Sequence, residues 1–340
     1  MVTSGYVTLA GFLAVVQLAA SAWAIVVGVR SLAAKTPADD EAADRLESRT
    51  YLAGLLAYLL LGTSLASWAV LYLLLDSFVP QWKGAMCIYG VTQIGEGSRG
   101  MYSWLPKLVF LEQALKPLLI LSTGAALVLY RFYRRLETRT LLPRVAASLL
   151  LASVLASLDA AVELTYLAIP KRESLPNSGC CSVSSLEHER EPLPSPREQG
   201  HMELAYYAGQ ALMALLVWRS ARRATAGLSA GHLLFVVALG ALALAVSMQF
   251  LIHVASPALL HLPYHHCIYD LVAQAPEAGV ALALLLWGTF CVGWAATIGW
   301  LGRCAESAAE LGGEVRSWLA YALLGYLGST AMMTLDLWLA

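Results

Sequence analysis

Apolar residues along this chain gather into long continuous stretches, without the alternation of strands or the one-sided stripe of a soluble helix. Eight stretches, near 6–29, 51–78, 108–130, 145–168, 202–219, 230–256, 277–302 and 316–339, are rich enough in Leu, Ala and Val to enter a bilayer. Crossing roughly 30 Å of hydrocarbon takes about 20 helical residues. The pattern therefore predicts an all-α integral membrane protein with eight transmembrane helices. The fifth stretch is the shortest, and seven spans is the alternative count. Residues 1–6 carry no Lys or Arg, and the apolar run to Val29 is too long for the core of a secretory signal. The first stretch is thus expected to be a span, closed by Arg30.

Composition agrees with this. Hydrophobic residues make up 59% of the 340 and charged residues 13%, where a soluble domain has about 25% charged. A net charge of −1 argues against nucleic acid as a partner. The bilayer is the expected environment, as a multi-pass protein of a cell inner membrane or plasma membrane. One set of alternate loops, 30–50, 131–144, 219–229 and 303–316, holds 14 Lys and Arg, whereas the other set holds 8 spread over longer segments. The positive-inside rule puts the first set in the cytoplasm and both termini outside.

A short repeat divides the chain. Cys87-Ile88-Tyr89 follows the second stretch, and Cys267-Ile268-Tyr269 follows the sixth. Leu61-Gly62 and Leu239-Gly240 precede them at similar distances, and Leu158-Asp159 and Leu335-Asp336 close the fourth and eighth stretches. This predicts two similar parallel four-helix halves, 1–169 and 201–340, joined by a polar outer loop, 170–200, that carries Cys180-Cys181. Equivalent loops would then approach a shared axis on the outer face.

Chemistry concentrates on that face. Cys87, Cys180, Cys181, His265, His266 and Cys267 all fall in outer loops, with His201, His253, His261 and Asp270 close to them in sequence. Thiolate and imidazole together suit copper best, then zinc. The leading expectation is an outward-facing Cys/His site for binding or handling a soft metal, or for metal-linked electron transfer. An extracytoplasmic metal carrier or redox protein would be its partner. Two alternatives stay open. One is a membrane thiol–disulfide oxidoreductase, although no Cys-x-x-Cys occurs. The other is a transporter or scaffold whose outer cysteines form structural disulfides. Cys291 and Cys304 read as plain small thiols. No Walker loop, Gly-x-Gly-x-x-Gly, His-Glu-x-x-His or haem-attachment motif is present.

Ionisable residues inside the stretches form a second group. Asp159 and Glu163 lie four apart in the fourth, with Tyr166 on the same face, and Glu112 and Lys116 lie four apart in the third. Charge in hydrocarbon is expensive, so these faces should point into a bundle. Asp159 and Glu163 could relay protons or guide a cation. Glu112 and Lys116 could simply neutralise one another.

Overall fold

The computed structural model describes residues 5–33, 40–82, 85, 87–136, 138–171, 196–262, 265–304 and 306–339. These residues are overwhelmingly helical, with no strand among them. The long helices are α1 (Gly5–Ala33), α2 (Asp40–Phe78), α4 (Leu105–Leu136), α5 (Leu142–Ala168), α6 (Pro196–Arg223), α7 (Ala230–Phe250), α10 (Pro276–Leu301) and α11 (Ala308–Leu339). Shorter ones are α3 (Ile88–Thr92), α8 (Ser256–Leu259) and α9 (Ile268–Gln274). A π-helical turn, Leu251–Ala255, joins α7 to α8.

Local chemistry sets several helix starts. Proline in the first turn of α5, α8 and α10 sits where an N–H would lack an intrahelical partner anyway. Ser229 caps α7, its Oγ accepting from the His232 amide at 3.1 Å.

Seven helical segments are long and apolar enough to cross a membrane. They are Gly5–Ala33, Ser48–Gln81, Gly100–Leu136, Leu142–Ala168, Ala230–Leu259, Pro276–Leu301 and Ala309–Leu339. The fifth expected span does fold as a helix of 28 residues, Pro196–Arg223. It falls outside the seven because His201, Glu203, Tyr206, Tyr207 and Gln210 dilute its apolar character. Large hydrophobic side chains face outward on most of these helices: Phe12, Phe110, Leu204, Leu234 and Trp338 are all more than half exposed. A protein in water rarely leaves so much apolar surface open, whereas lipid covers it.

The chain divides into two compact units, Met1–Ser178 with Cys304–Ser307, and Gly179–Arg303 with Ala308–Ala340. In the first, α1 packs on α2, α2 on α4, α4 on α5, and α5 back on α1. In the second, α6 packs on α7, α7 on α10, α10 on α11, and α11 back on α6. Each is a ring of four consecutive long helices. The first core holds Leu71, Leu74, Phe78, Trp82, Leu105 and Tyr166. The second holds Phe250, Leu251, Val254 and Met333, with Tyr206 stacked on Phe250 at 4.1 Å between ring centroids. In the second unit α10 and α11 meet backbone to backbone. A Cβ on Gly325 would lie 2.8 Å from the Cα and N of Gly288 and from the Leu284 carbonyl oxygen. Glycine is what permits that approach.

Candidate functional sites: a buried charge cluster and a cysteine–histidine segment

Every long helix of the first unit sends a polar side chain to one interior point. Gln17 comes from α1, Ser67 from α2, Glu112 and Lys116 from α4, and Asp159 and Glu163 from α5. All six are buried. Lys116 is the hub. Its Nζ donates to Ser67 Oγ at 3.0 Å, to Asp159 Oδ2 at 2.9 Å and to Glu163 Oε2 at 2.7 Å. An ammonium has three protons, so its donor capacity is used. Gln17 Nε2 donates to Asp159 Oδ2 at 2.8 Å and to the Ala156 carbonyl at 3.0 Å.

Of the two readings open for these groups, mutual Glu112–Lys116 pairing or bonds between helices, Lys116 takes the second. Lys116 turns across the bundle to α5, and both carboxyl oxygens of Glu112 are buried without a protein donor. Asp159 Oδ1, Glu163 Oε1 and Gln17 Oε1 are likewise without one. The expectation that Asp159 and Glu163 face the interior holds. The turn carrying these groups is also unusual in its backbone: Pro117 follows Lys116 inside α4 and cannot donate to the carbonyl one turn earlier.

The cluster adjoins one end of the unit. Three residues from Glu112 along α4 is Val109, and three from Glu163 along α5 is Tyr166. These two line a crevice with Val91, Ile94, Leu105 and Lys171, too narrow to admit a water molecule. Lys171 caps it. Its Nζ donates to the Tyr166 carbonyl at 2.7 Å and lies 4.0 Å from the Tyr166 ring centroid and 5.8 Å from that of Phe78. Burial lowers the Lys171 ammonium to about 8, with the Glu112 carboxylate opposing the shift. Sequence reasoning passed over Gln17, Ser67 and Lys171. A signal existed for Gln17, an amide in the middle of an otherwise apolar span. None existed for Lys171, which reads as an ordinary interfacial lysine.

The cysteine and histidine candidates divide between the units. Cys87, in the first, is the buried N-cap of α3. Cys267, in the second, is the buried N-cap of α9. Cys180 and Cys181 lie outside the described residues, as does most of the expected loop 170–200. None of the cysteines at 87, 267, 291 and 304 is in a disulfide.

Within the second unit, residues 252–262 and 265–270 form one polar knot. The thiol of Cys267 and a carboxylate oxygen of Asp270 lie within 4.8 Å of each other. His265 Nε2 is 2.7 Å from Asp270 Oδ2. Ser256 Oγ donates to the carbonyls of His265 and Cys267, at 3.0 and 3.3 Å, and fixes the path of that segment. His253 rides on the π-helical turn with its ring centroid 5.4 Å from that of His266, whose Nδ1 is 3.2 Å from the Ile252 carbonyl oxygen. Only an N–H can bond a carbonyl, so His266 Nδ1 is the protonated nitrogen and Nε2 of the neutral ring keeps its lone pair. His261 has φ 53°, the only left-handed non-glycine among the described residues. His201 is exposed, and His232 bonds Ser220 Oγ at 2.8 Å, well away in sequence from the knot.

No protein-family model, curated protein or solved structure matches this chain.

Proposed function

We propose that this multi-pass protein handles a soft metal of the copper or zinc type on its outer face. In this reading eight helices span the membrane as two parallel halves with both termini outside. The observation that carries the metal reading is the knot of the second unit, where a thiol, a carboxylate and four imidazoles occur within 18 residues of sequence, 253–270. The His266 tautomer leaves Nε2 available, and a backbone carbonyl on the opposite ring nitrogen is how metal-binding histidines are commonly oriented. The spacing also suits a shared ion. With a metal–nitrogen bond of about 2.0–2.1 Å, two imidazoles on one tetrahedral ion have ring centroids roughly 5 Å apart, against 5.4 Å for His253 and His266. Cys267 and Asp270 form a second pair of donors on the same segment, with Asp270 Oδ2 2.7 Å from His265 Nε2.

Support for the eight spans comes from α6, whose 28 residues reach roughly 42 Å at about 1.5 Å each. Its most polar interior residue, Gln210, is buried and bonds Ser247 Oγ at 2.8 Å, so it is not offered to lipid. The two parallel halves are supported by the same order of helix neighbours in each unit, and by a Cys-Ile-Tyr that opens a short helix in both. The charge asymmetry of the loops supports the orientation.

Metal analysis of the purified protein, with a thiol count before and after reduction, tests this. Bound metal is expected, reduced severalfold by His266→Ala and by Cys267→Ser but not by Cys304→Ser. Retention should fall on acidification, because a thiolate and neutral imidazoles must be kept unprotonated. A metal-free protein whose outer cysteines emerge only after reduction would replace this reading with structural or exchanging disulfides.

A further inference from the structure

The buried cluster of the first unit has one feature that an ion pair does not need. Lys116 commits all three protons, two of them to Asp159 and Glu163. Those two carboxylates already exceed its single charge. Glu112 then adds a third carboxyl, fully buried, with no protein donor to either oxygen. A bare carboxylate in such a place is unfavourable, and the simplest way to neutralise it is a proton. No sequence rule demands an acid there, since any apolar residue would fill the space on α4 without penalty.

The surroundings define what Glu112 senses. From its own helix it faces Lys116. From α5 it faces Asp159, Glu163 and Tyr166. From the segment after α5 it feels Lys171. From α1 and α2 come the uncharged Gln17 and Ser67. The crevice beneath Lys171 starts one turn from Glu112 and is closed to water in this structure. Lys171, which lines that crevice, lies over the rings of Tyr166 and Phe78.

We propose that Glu112 is a proton-binding carboxyl that exchanges its proton with the solution, while Lys116 holds Asp159 and Glu163 beside it. Loading forms one O–H bond on Glu112 from a hydronium ion of the outer solution, which becomes water. Unloading reverses this, and no electrons move. The cluster changes by one charge in each cycle, which gives the four-helix ring two states of different internal charge. The ligand is a proton, not a metal cation, because the position between Asp159 and Glu163 is already filled by the Lys116 ammonium. This inference is independent of the metal reading, which concerns the other unit.

Infrared difference spectroscopy on the full chain in lipid vesicles tests it. The wild type should show the carbonyl band of a protonated carboxylic acid that shifts in deuterated water and fades as pH rises. The band should be absent in Glu112→Gln and displaced but present in Glu112→Asp. Glu112→Gln replaces a neutral acid by a neutral amide of the same shape, so its thermal midpoint should match the wild type at low pH. Superimposable spectra of wild type and Glu112→Gln at every pH would overturn the proposal. So would a response of the band to sodium at fixed pH in place of a response to pH, which would mark a cation site. Loss of folding in Glu112→Gln with normal folding in Glu112→Asp would also overturn it, since the carboxylate would then be a structural anion.

Discussion

Replacing Lys116 by Met removes the one cation that faces Asp159 and Glu163, and the magnitude can be bounded. Lys116 is fully buried and bonds both acids below 3 Å. Without it the folded state has two choices. It can hold unpaired carboxylates in the interior, where breaking one buried pair typically costs about 3–5 kcal/mol. Or it can hold both acids protonated. Taking a proton at pH 7 on a group that titrates near 4 costs about 1.36 kcal/mol per pH unit, or roughly 4 kcal/mol for each acid. The second route caps the penalty at about 8 kcal/mol for the pair, which is comparable to the whole stability of many domains.

The cap depends on pH, and its sign is definite. In the variant the folded state binds protons that the unfolded chain has released at pH 7, so stability falls as pH rises. At pH 5 the same arithmetic gives about 1–1.5 kcal/mol per acid, so the penalty shrinks to roughly 2–3 kcal/mol. Thermal unfolding in detergent, followed by circular dichroism at the two pH values, reads this directly. Lys116→Met should be far less stable than the wild type at pH 7 and recover much of the difference at pH 5. The triple variant with Asp159→Asn and Glu163→Gln should recover at both. A Lys116→Met protein that unfolds at the wild-type temperature at pH 7 would refute the account of a hub.

Three further outcomes follow from other parts of the molecule. Gly325→Ala forces a methyl group to within 2.8 Å of the α10 backbone and should destabilise the second unit by about 1–3 kcal/mol. Gly313→Ala, with open space around it, should be neutral or stabilising by up to about 1 kcal/mol from helix propensity; equal effects in the two unfolding curves would discredit the close packing. In sealed cells, an impermeant thiol reagent should add a label to Glu96→Cys and none to Ala226→Cys, and the reverse pattern would invert the membrane orientation. Amine acylation of Lys171 should rise with pH through a midpoint near 8, because the reactive form is the neutral amine; a midpoint near the ordinary lysine value would remove burial as the controlling influence.

The membrane architecture was legible because lipid imposes a crude rule: about 20 apolar residues make a span. Seven stretches obey it in the structure. The segment that strains it, α6, does so through Gln210 and Tyr206, which the helix turns inward. Hydropathy sums over all faces of a helix and is blind to which face a residue occupies. The same blindness left the partner of Lys116 on α4 open. Spacing of four puts Glu112 and Lys116 on one face, and a helical wheel then offers them to each other. Spacing holds no information about what stands across the bundle. Ser67, Asp159 and Glu163 come from segments 43 to 49 residues distant, and they take the lysine.

Divergence between the repeated segments carries the last step. Leu158-Asp159 and Leu335-Asp336 match in sequence, and both leucines are about half exposed, as lipid-facing residues would be. Yet Asp159 is fully buried on Lys116, while Asp336 stays partly exposed and has no lysine to meet. On α10 the ring of the second unit is occupied by Gly288, Thr289 and Cys291, with the Thr289 hydroxyl 3.2 Å from that of Tyr326. Among the described residues the interior is charged in one unit and neutral and hydroxyl-lined in the other. The first unit carries the buried carboxyls, and the second carries the imidazoles and thiol of 253–270. If that division is real, carrying Lys116 and Glu112 into the second unit should not create a second proton site. Asp336 alone gives an introduced lysine one carboxylate where Lys116 has two, and no neighbouring amide in the position of Gln17. An infrared band gained by such a transplant would show that the cluster is set by its acids alone, and the argument from the whole four-helix ring would fail.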